Sequence, residues 1–151
     1  MMNKVFPISC EDDTKRAAQW LAGAVDGGCV IGLSGVLGAG KTTFVRYFVA
    51  ALGGQADQVA SPSYALEYQY PIGTQFIVEH WDLYRLTELP DELYEQPSES
   101  TIRLIEWPEK VRWPEGAIDF FVKLELDEVE GLESRKLTIT PGLVNCGQDN
   151  P

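Results

Sequence analysis

The segment Gly35-Val36-Leu37-Gly38-Ala39-Gly40-Lys41-Thr42 carries the spacing G-x-x-x-x-G-K-T, directly after the apolar run Cys29-Val30-Ile31-Gly32-Leu33 and before a helix-periodic stretch. Glycines so placed let backbone N–H groups turn inward around a phosphate chain, while the following helix directs its positive end at the same charge. Leu37, Gly38, Ala39, Gly40, Lys41, Thr42 and Thr43 are therefore the expected nucleotide-binding residues. Lys41 is expected to reach the β- and γ-phosphates, and the Thr42 hydroxyl to ligate Mg²⁺. The alternative is a glycine-rich strand–helix turn without a ligand, and the strand–loop–helix setting argues against it.

Holding a triphosphate is not hydrolysing it, which also requires a metal-associated carboxylate and a group that orients water. Asp82 closes the apolar run Phe76 to Trp81, the strand end at which a Walker-B acid sits, and Glu106 closes the run Ile102 to Ile105. A plainer role for Asp82 is to cap the turn Leu83-Tyr84-Arg85; for Glu106 it is a solvated strand terminus. His80 is the single histidine and stands two residues before Asp82, on the same strand face. With no Ser or Cys nucleophile at matching spacing, His80 reads as structural. Tyr64, Tyr68, Tyr70, Trp81 and Trp107 read chiefly as packing residues of strands. The chain lacks the [NT]-K-x-D segment associated with guanine, so ATP is the expected nucleotide.

The elements that must position these groups follow from periodicity. Ser9 with Asp12 three residues on is a capping-box signal, and Ala17, Ala18, Leu21, Ala24 and Val25 share a helical face, which predicts a helix from about Glu11 to Val25. Cys29 to Leu33 reads as a strand buried on both faces. Phe44, Val45, Phe48, Val49 and Leu52 predict a second helix that ends at Gly53-Gly54. Tyr64 to Tyr70 and Phe76 to Trp81 read as a β-hairpin across Pro71-Ile72-Gly73-Thr74. Further strands are expected at Thr101–Glu106, Phe120–Leu126 and Lys136–Thr140, the last two joined by an acidic turn around Gly131. Pro90 to Ser100 reads as a short helix and loop. Two helices against about seven strands give a single-domain α/β fold with a mixed sheet flanked by helices.

Composition narrows the function classes. At 151 residues the chain holds one core and one nucleotide site, expected over residues 1–141 with a frayed tail over 142–151. A net charge of −11, from 23 acidic and 12 basic residues, disfavours a bare nucleic-acid grip and favours protein partners. Cys10, Cys29 and Cys146 lack metal-ligand or C-x-x-C spacing and fit inert thiols of a reducing compartment. Neither a membrane-length apolar stretch nor a signal-peptide core is present, so a cytoplasmic location is expected.

Four blocks in order resemble one family: Gly35 to Thr43, then Ser61-Pro62-Ser63-Tyr64, then His80-Trp81-Asp82-Leu83-Tyr84-Arg85-Leu86, then Leu104-Ile105-Glu106-Trp107-Pro108-Glu109. The sequence is similar to the bacterial TsaE (YjeE) ATPases of tRNA threonylcarbamoyladenosine biosynthesis. The resemblance implies a P-loop NTPase-like fold and a weak, partner-stimulated ATPase. Lys41 and Thr42 would bind phosphate and Mg²⁺, Ser61 to Tyr64 would form a switch-like loop, Asp82 would be the Walker-B-type acid, and Glu106 a second metal-associated acid. It also implies adenine contacts from Glu11 and Arg135. The implied partners are TsaB and TsaD, which transfer a threonylcarbamoyl group to adenosine 37 of tRNA, with no direct tRNA grip by this chain alone and no membrane. Two departures stand out: Ser63 replaces the family's usual Thr, and Leu89-Pro90-Asp91-Glu92-Leu93-Tyr94-Glu95 replaces a longer acidic-apolar helix. A nucleotide-gated binding module and, further off, a small-molecule phosphotransferase compete with the ATPase reading.

Overall fold

A computed structural model describes residues 3–36, 38–129 and 132–142. Seven strands form one sheet in the order β1-β7-β6-β2-β5-β4-β3. They are β1 (Lys4–Ile8), β2 (Cys29–Ser34), β3 (Glu67–Ile72), β4 (Phe76–Asp82), β5 (Thr101–Glu106), β6 (Phe120–Val129) and β7 (Leu132–Pro141), with helices α1 (Glu11–Ala24) and α2 (Lys41–Ala51). The neighbouring strands β6, β2, β5 and β4 run parallel, β3 and β7 run antiparallel to them at either side, and β1 pairs antiparallel with β7. The expected mixed α/β sheet is observed.

Strand β2 is buried along almost its whole length, as an apolar run between two parallel neighbours must be. Its alternation divides the interior. Cys29, Ile31 and Leu33 join Ala17, Leu21, Phe44 and Phe48 under the two helices, while Val30 joins Leu83, Leu89, Leu93, Ile105 and Val111 on the other face. Both helices therefore cover one side, and irregular segments with short 3₁₀ turns cover the other. Burying Phe44 and Phe48 completely contributes roughly 1.5–3 kcal/mol each by removal of apolar area from water. That anchorage holds α2 against the sheet and, with it, the loop that precedes the helix.

Several local readings shift. The α1 cap is Cys10 rather than Ser9, and the reciprocal carboxylate is Asp13 rather than Asp12: Asp13 Oδ2 accepts from the Ser9 N–H at 2.7 Å and the Cys10 N–H at 3.2 Å. Three adjacent acids made the register ambiguous in sequence. Tyr64 does not begin a strand; it lies in a turn, and β3 starts at Glu67 and runs through Pro71 and Ile72 to pair Ile72 with Phe76. Strand β1 has no counterpart among the strands read from sequence. It is a largely exposed edge strand, which is where Pro7 can sit without breaking a ladder. The Pro90 to Ser100 region contains only a 3₁₀ turn, Asp91–Tyr94. The Gly131 turn and residues 143–151 lie outside the described residues. Gly142, assigned to the tail, donates its N–H to the Asp119 carbonyl at 2.7 Å.

Candidate nucleotide site

Parallel strands deliver their carboxyl ends to one edge of a sheet, where open α/β folds place ligands. Here β2 ends at Ser34 and runs into the glycine loop, β5 ends at Glu106 and β4 at Asp82. The register sets Asp82 beside Glu106 and Glu106 beside Leu33, so both strand-end acids stand in one row next to the loop. Their proximity is a property of the sheet, since 24 positions of chain separate them.

The loop is shaped by glycine. Gly38 and Gly40 have φ of 81° and 106°, values that L side chains rarely adopt, and a Cβ on Gly38 would point into open space. Gly35 is fixed differently: a Cβ there would stand 2.9 Å from the Leu124 carbonyl. Helix α2 begins at Lys41 with Gly40 as its cap residue, so the first-turn amides face the loop. Leu37 lies outside the described residues.

Lys41 is buried and bent back on the loop, with Nζ donating to the Gly35 carbonyl and to the Val36 carbonyl at 3.2 Å. The ammonium also stands 4.3 Å from the centre of the Trp107 ring. Burial holds it below the usual lysine range, against the upward pull of Glu106, Glu109 and Asp82. Trp107 reaches that position because its backbone is left-handed, φ 60° and ψ 49°, directly after Glu106. Such a conformation in a bulky residue costs about 1–3 kcal/mol and collects at functional sites. Tyr84 packs on the same indole, at 4.8 Å between ring centres.

Asp82 and Glu106 differ in their surroundings. Asp82 does cap its turn, with Oδ1 accepting the Tyr84 N–H at 2.9 Å, while Oδ2 accepts the Ser63 hydroxyl at 3.2 Å. Arg85 donates to the Ser63 carbonyl and stacks on Tyr64 at 4.6 Å, so Ser61–Tyr64 is tied to the acid end of β4. Glu106 is not a solvated terminus: it is 3% exposed, and its Oε2 accepts from His80 Nε2 at 2.6 Å. His80 is itself fully buried and contacts the Tyr70 hydroxyl at 2.8 Å through Nδ1. Tyr70, His80 and Trp107 are thus site residues that their types and positions did not reveal. Only their convergence on Glu106 and Lys41 does.

Two adjoining clefts result. One of about 270 Å³ is lined by Gly38, Gly40, Lys41, Thr42, Thr43, Ser61, Ser63, Asp82, Glu106 and Trp107. The other, of about 580 Å³, shares Gly40 and Thr43 and extends past Ala39 to Glu11, Cys10, Leu124 and Arg135. Glu11 and Arg135, from opposite ends of the chain, therefore line one cavity beside the loop. The Tyr47 hydroxyl donates to Glu11 Oε1 at 2.6 Å, a bond to that lining carboxylate that pushes the phenol of Tyr47 upward.

The small cleft has a lysine and helix amides for an anion, and carboxylate and hydroxyl oxygens for a hard cation. Among the described residues, no group of three or more His, Cys, Asp and Glu could hold a metal ion by itself. Thr42, Glu106 and Asp82 form the kind of sparse oxygen set that suits Mg²⁺, which completes its octahedron with substrate phosphates and water. The donors present fit that ion. Among the described residues, no helix is long and apolar enough to cross a membrane.

Comparison with known proteins agrees with this arrangement. The family model for threonylcarbamoyl adenosine biosynthesis protein TsaE matches residues 8–136. The tRNA threonylcarbamoyladenosine biosynthesis protein TsaE of Rickettsia conorii is 35% identical over 109 residues, 70% of this chain and 61% of that protein. The protein of the same name from Haemophilus influenzae is 37% identical over 107 residues, 67% of this chain and 66% of that protein. The chain thus spans about three fifths of the length of the Rickettsia relative. The crystal structure of Bacillus subtilis YdiB superposes with a TM-score of 0.62 over 96% of this chain and 89% of that chain, at 22% identity, a likeness of fold. With its family match covering all four sequence blocks and its strand-end acids in register beside the glycine loop, the chain belongs to the TsaE family of threonylcarbamoyl adenosine biosynthesis proteins.

Proposed function

We propose that this protein binds and slowly hydrolyses ATP in the cytoplasm, and that hydrolysis supports a TsaB–TsaD pair in threonylcarbamoylation of adenosine 37 of tRNA. The observation that carries the reading is the row of Asp82 and Glu106 across β4 and β5, facing Lys41 and Thr42 over one cleft. Base and ribose would occupy the larger cleft, with Glu11 and Arg135 at the base. The phosphates would lie over Gly38 to Thr43, where Lys41 exchanges its carbonyl contacts for β- and γ-phosphate oxygens. Thr42, Glu106 and Asp82 would hold Mg²⁺, which when bound neutralises phosphate charge. Asp82 or Glu106 orients the attacking water. The acidic surface of a −11 chain supports action on protein partners rather than on tRNA directly.

The test is ATP turnover with and without the partner pair. Asp82→Ala and Glu106→Ala are each expected to abolish the stimulated rate; unchanged stimulated turnover in both variants would refute the mechanism.

One observation favours a second reading, a nucleotide-gated docking module. The Ser61–Tyr64 loop is bonded to Asp82 and Arg85 and presents Tyr64 at 93% exposure, so ligand-driven movement at the acids would be felt at the surface. Many rounds of tRNA modification with a non-hydrolysable ATP analogue would support it over the ATPase reading.

A further inference from the structure

Glu106 is an acid whose usefulness depends on where its two oxygens point, and one of them is already engaged. Oε2 accepts from His80 Nε2 at 2.6 Å, which leaves Oε1 as the oxygen that can serve the cleft. An ionised carboxylate only accepts, so the proton of that bond resides on Nε2. On the other side of the ring, Nδ1 shares a hydrogen bond of 2.8 Å with the Tyr70 hydroxyl. The same hydroxyl accepts the Ala60 N–H at 3.3 Å and donates to the Ala60 carbonyl at 3.1 Å. Ala60 immediately precedes the loop whose Ser63 touches Asp82.

Among the described residues, no buried side-chain nitrogen or oxygen lacks a hydrogen-bond partner, so this chain is fully satisfied. Fully satisfied buried networks rigidify what they hold. His80 lies between β3 and β5 with no exposure, and Tyr70 is 3% exposed; neither side chain lines the small cleft. Their part is support of a neighbour rather than contact with a reacting molecule.

Building on the ATPase reading, we infer that Tyr70 and His80 are positioning residues for Glu106, forming a buried hydrogen-bonded support that aims its carboxylate at the cleft and fastens it to the start of the Ser61–Tyr64 loop. Outer partners of this kind change metal affinity or activity by about 10–100-fold when removed.

The test uses His80→Ala, His80→Gln and Tyr70→Phe in the full chain, with Glu106→Ala as reference. Gln restores an N–H near the Nε2 position, whereas Phe keeps the Tyr70 ring and deletes only the hydroxyl. With the partner pair present, His80→Ala is expected to lower kcat by about 10–100-fold while KM for ATP stays within about threefold, and His80→Gln to recover most of the loss. Tyr70→Phe falls between them. A second readout does not involve turnover: calorimetric binding of ADP across a Mg²⁺ series. The Mg²⁺ concentration at half effect should rise in His80→Ala, with metal-free ADP affinity unchanged. A third uses the chain's single histidine, whose ring N–H should give one downfield, slowly exchanging proton resonance, lost in Glu106→Ala.

Wild-type kcat and an unmoved Mg²⁺ response in His80→Ala would overturn the inference, as would His80→Gln behaving like His80→Ala at equal thermal stability. If His80→Ala does not fold, His80→Gln and Tyr70→Phe decide it: wild-type-like His80→Gln with reduced kcat in Tyr70→Phe supports the support chain, and wild-type kcat in Tyr70→Phe refutes it. Failure of the underlying reading looks different, because then Glu106→Ala itself retains full turnover or the unaltered protein takes up no nucleotide.

Discussion

Lys41→Met retains the length and apolar stem of the side chain and removes only the ammonium, so its effect reports the phosphate contact. At a ligand concentration of 100 Kd, linkage stabilises the unaltered protein by about 2.7 kcal/mol. For a chain of 151 residues, about 1 kcal/mol moves Tm by roughly 2–4 °C, so Mg·ADP should raise Tm by roughly 5–11 °C. A hydrogen bond to a charged group contributes about 1.5–3 kcal/mol. Lys41 must release the Gly35 and Val36 carbonyls to make it, so the net loss should not exceed that range. Affinity then falls about 10–150-fold, and at the same ligand concentration only about 0.3–1.3 kcal/mol of stabilisation remains. The Tm shift should shrink to roughly 1–5 °C in differential scanning calorimetry, with titration calorimetry giving the matching Kd. A full-sized shift in Lys41→Met refutes lysine–phosphate contact, and with it the placement of the triphosphate over Gly38 to Thr43.

Burial lowers the Lys41 pKa, so in the ligand-free protein its charged form is penalised at neutral pH, and that penalty lifts as pH rises through the lowered value toward the unfolded one. Stability should gain in that alkaline window, nucleotide affinity should fall over the same window, and Lys41→Met should show neither trend; a flat affinity profile in the unaltered protein would contradict the assignment. Burial, reinforced by Asp119 and Asp26, pushes the Cys29 thiol up to about 12, so an alkylating reagent at pH 8 should modify exposed Cys10 and spare Cys29, which mass spectrometry of the peptides would check. In Gly27→Ala the new Cβ would sit 1.6 Å from the Glu99 carbonyl oxygen. Backbone must move, so stability should drop by about 1–3 kcal/mol in urea denaturation, and an unchanged midpoint would show the turn to be more compliant than its packing implies.

What the sequence determined by itself was local. The glycine loop, Lys41, Thr42 and the strand and helix around them lie within some two dozen consecutive residues, and their geometry follows from φ freedom, hydrophobic period and a helix start. Asp82 and Glu106 were legible for the same reason, as acids that end apolar runs. The edge strand β1 was not, because only Phe6 and Ile8 turn toward the core, too short an alternation to announce a strand, and Pro7 between them argues against one.

Only the tertiary structure decided what these residues do to one another. It folded Trp107 back over Lys41, buried Glu106 where a wet terminus was the plain reading, and joined Tyr70, His80 and Glu106 into one hydrogen-bonded chain across three strands. His80 and Glu106 are 26 residues apart and become neighbours through parallel pairing of β4 with β5. Glu11 and Arg135 likewise meet at one cleft because β7 pairs with β1 at the sheet edge beside the start of α1. Periodicity states which face a side chain takes; strand order and register state whose side chain it meets, and these are set by the joint burial of the whole core.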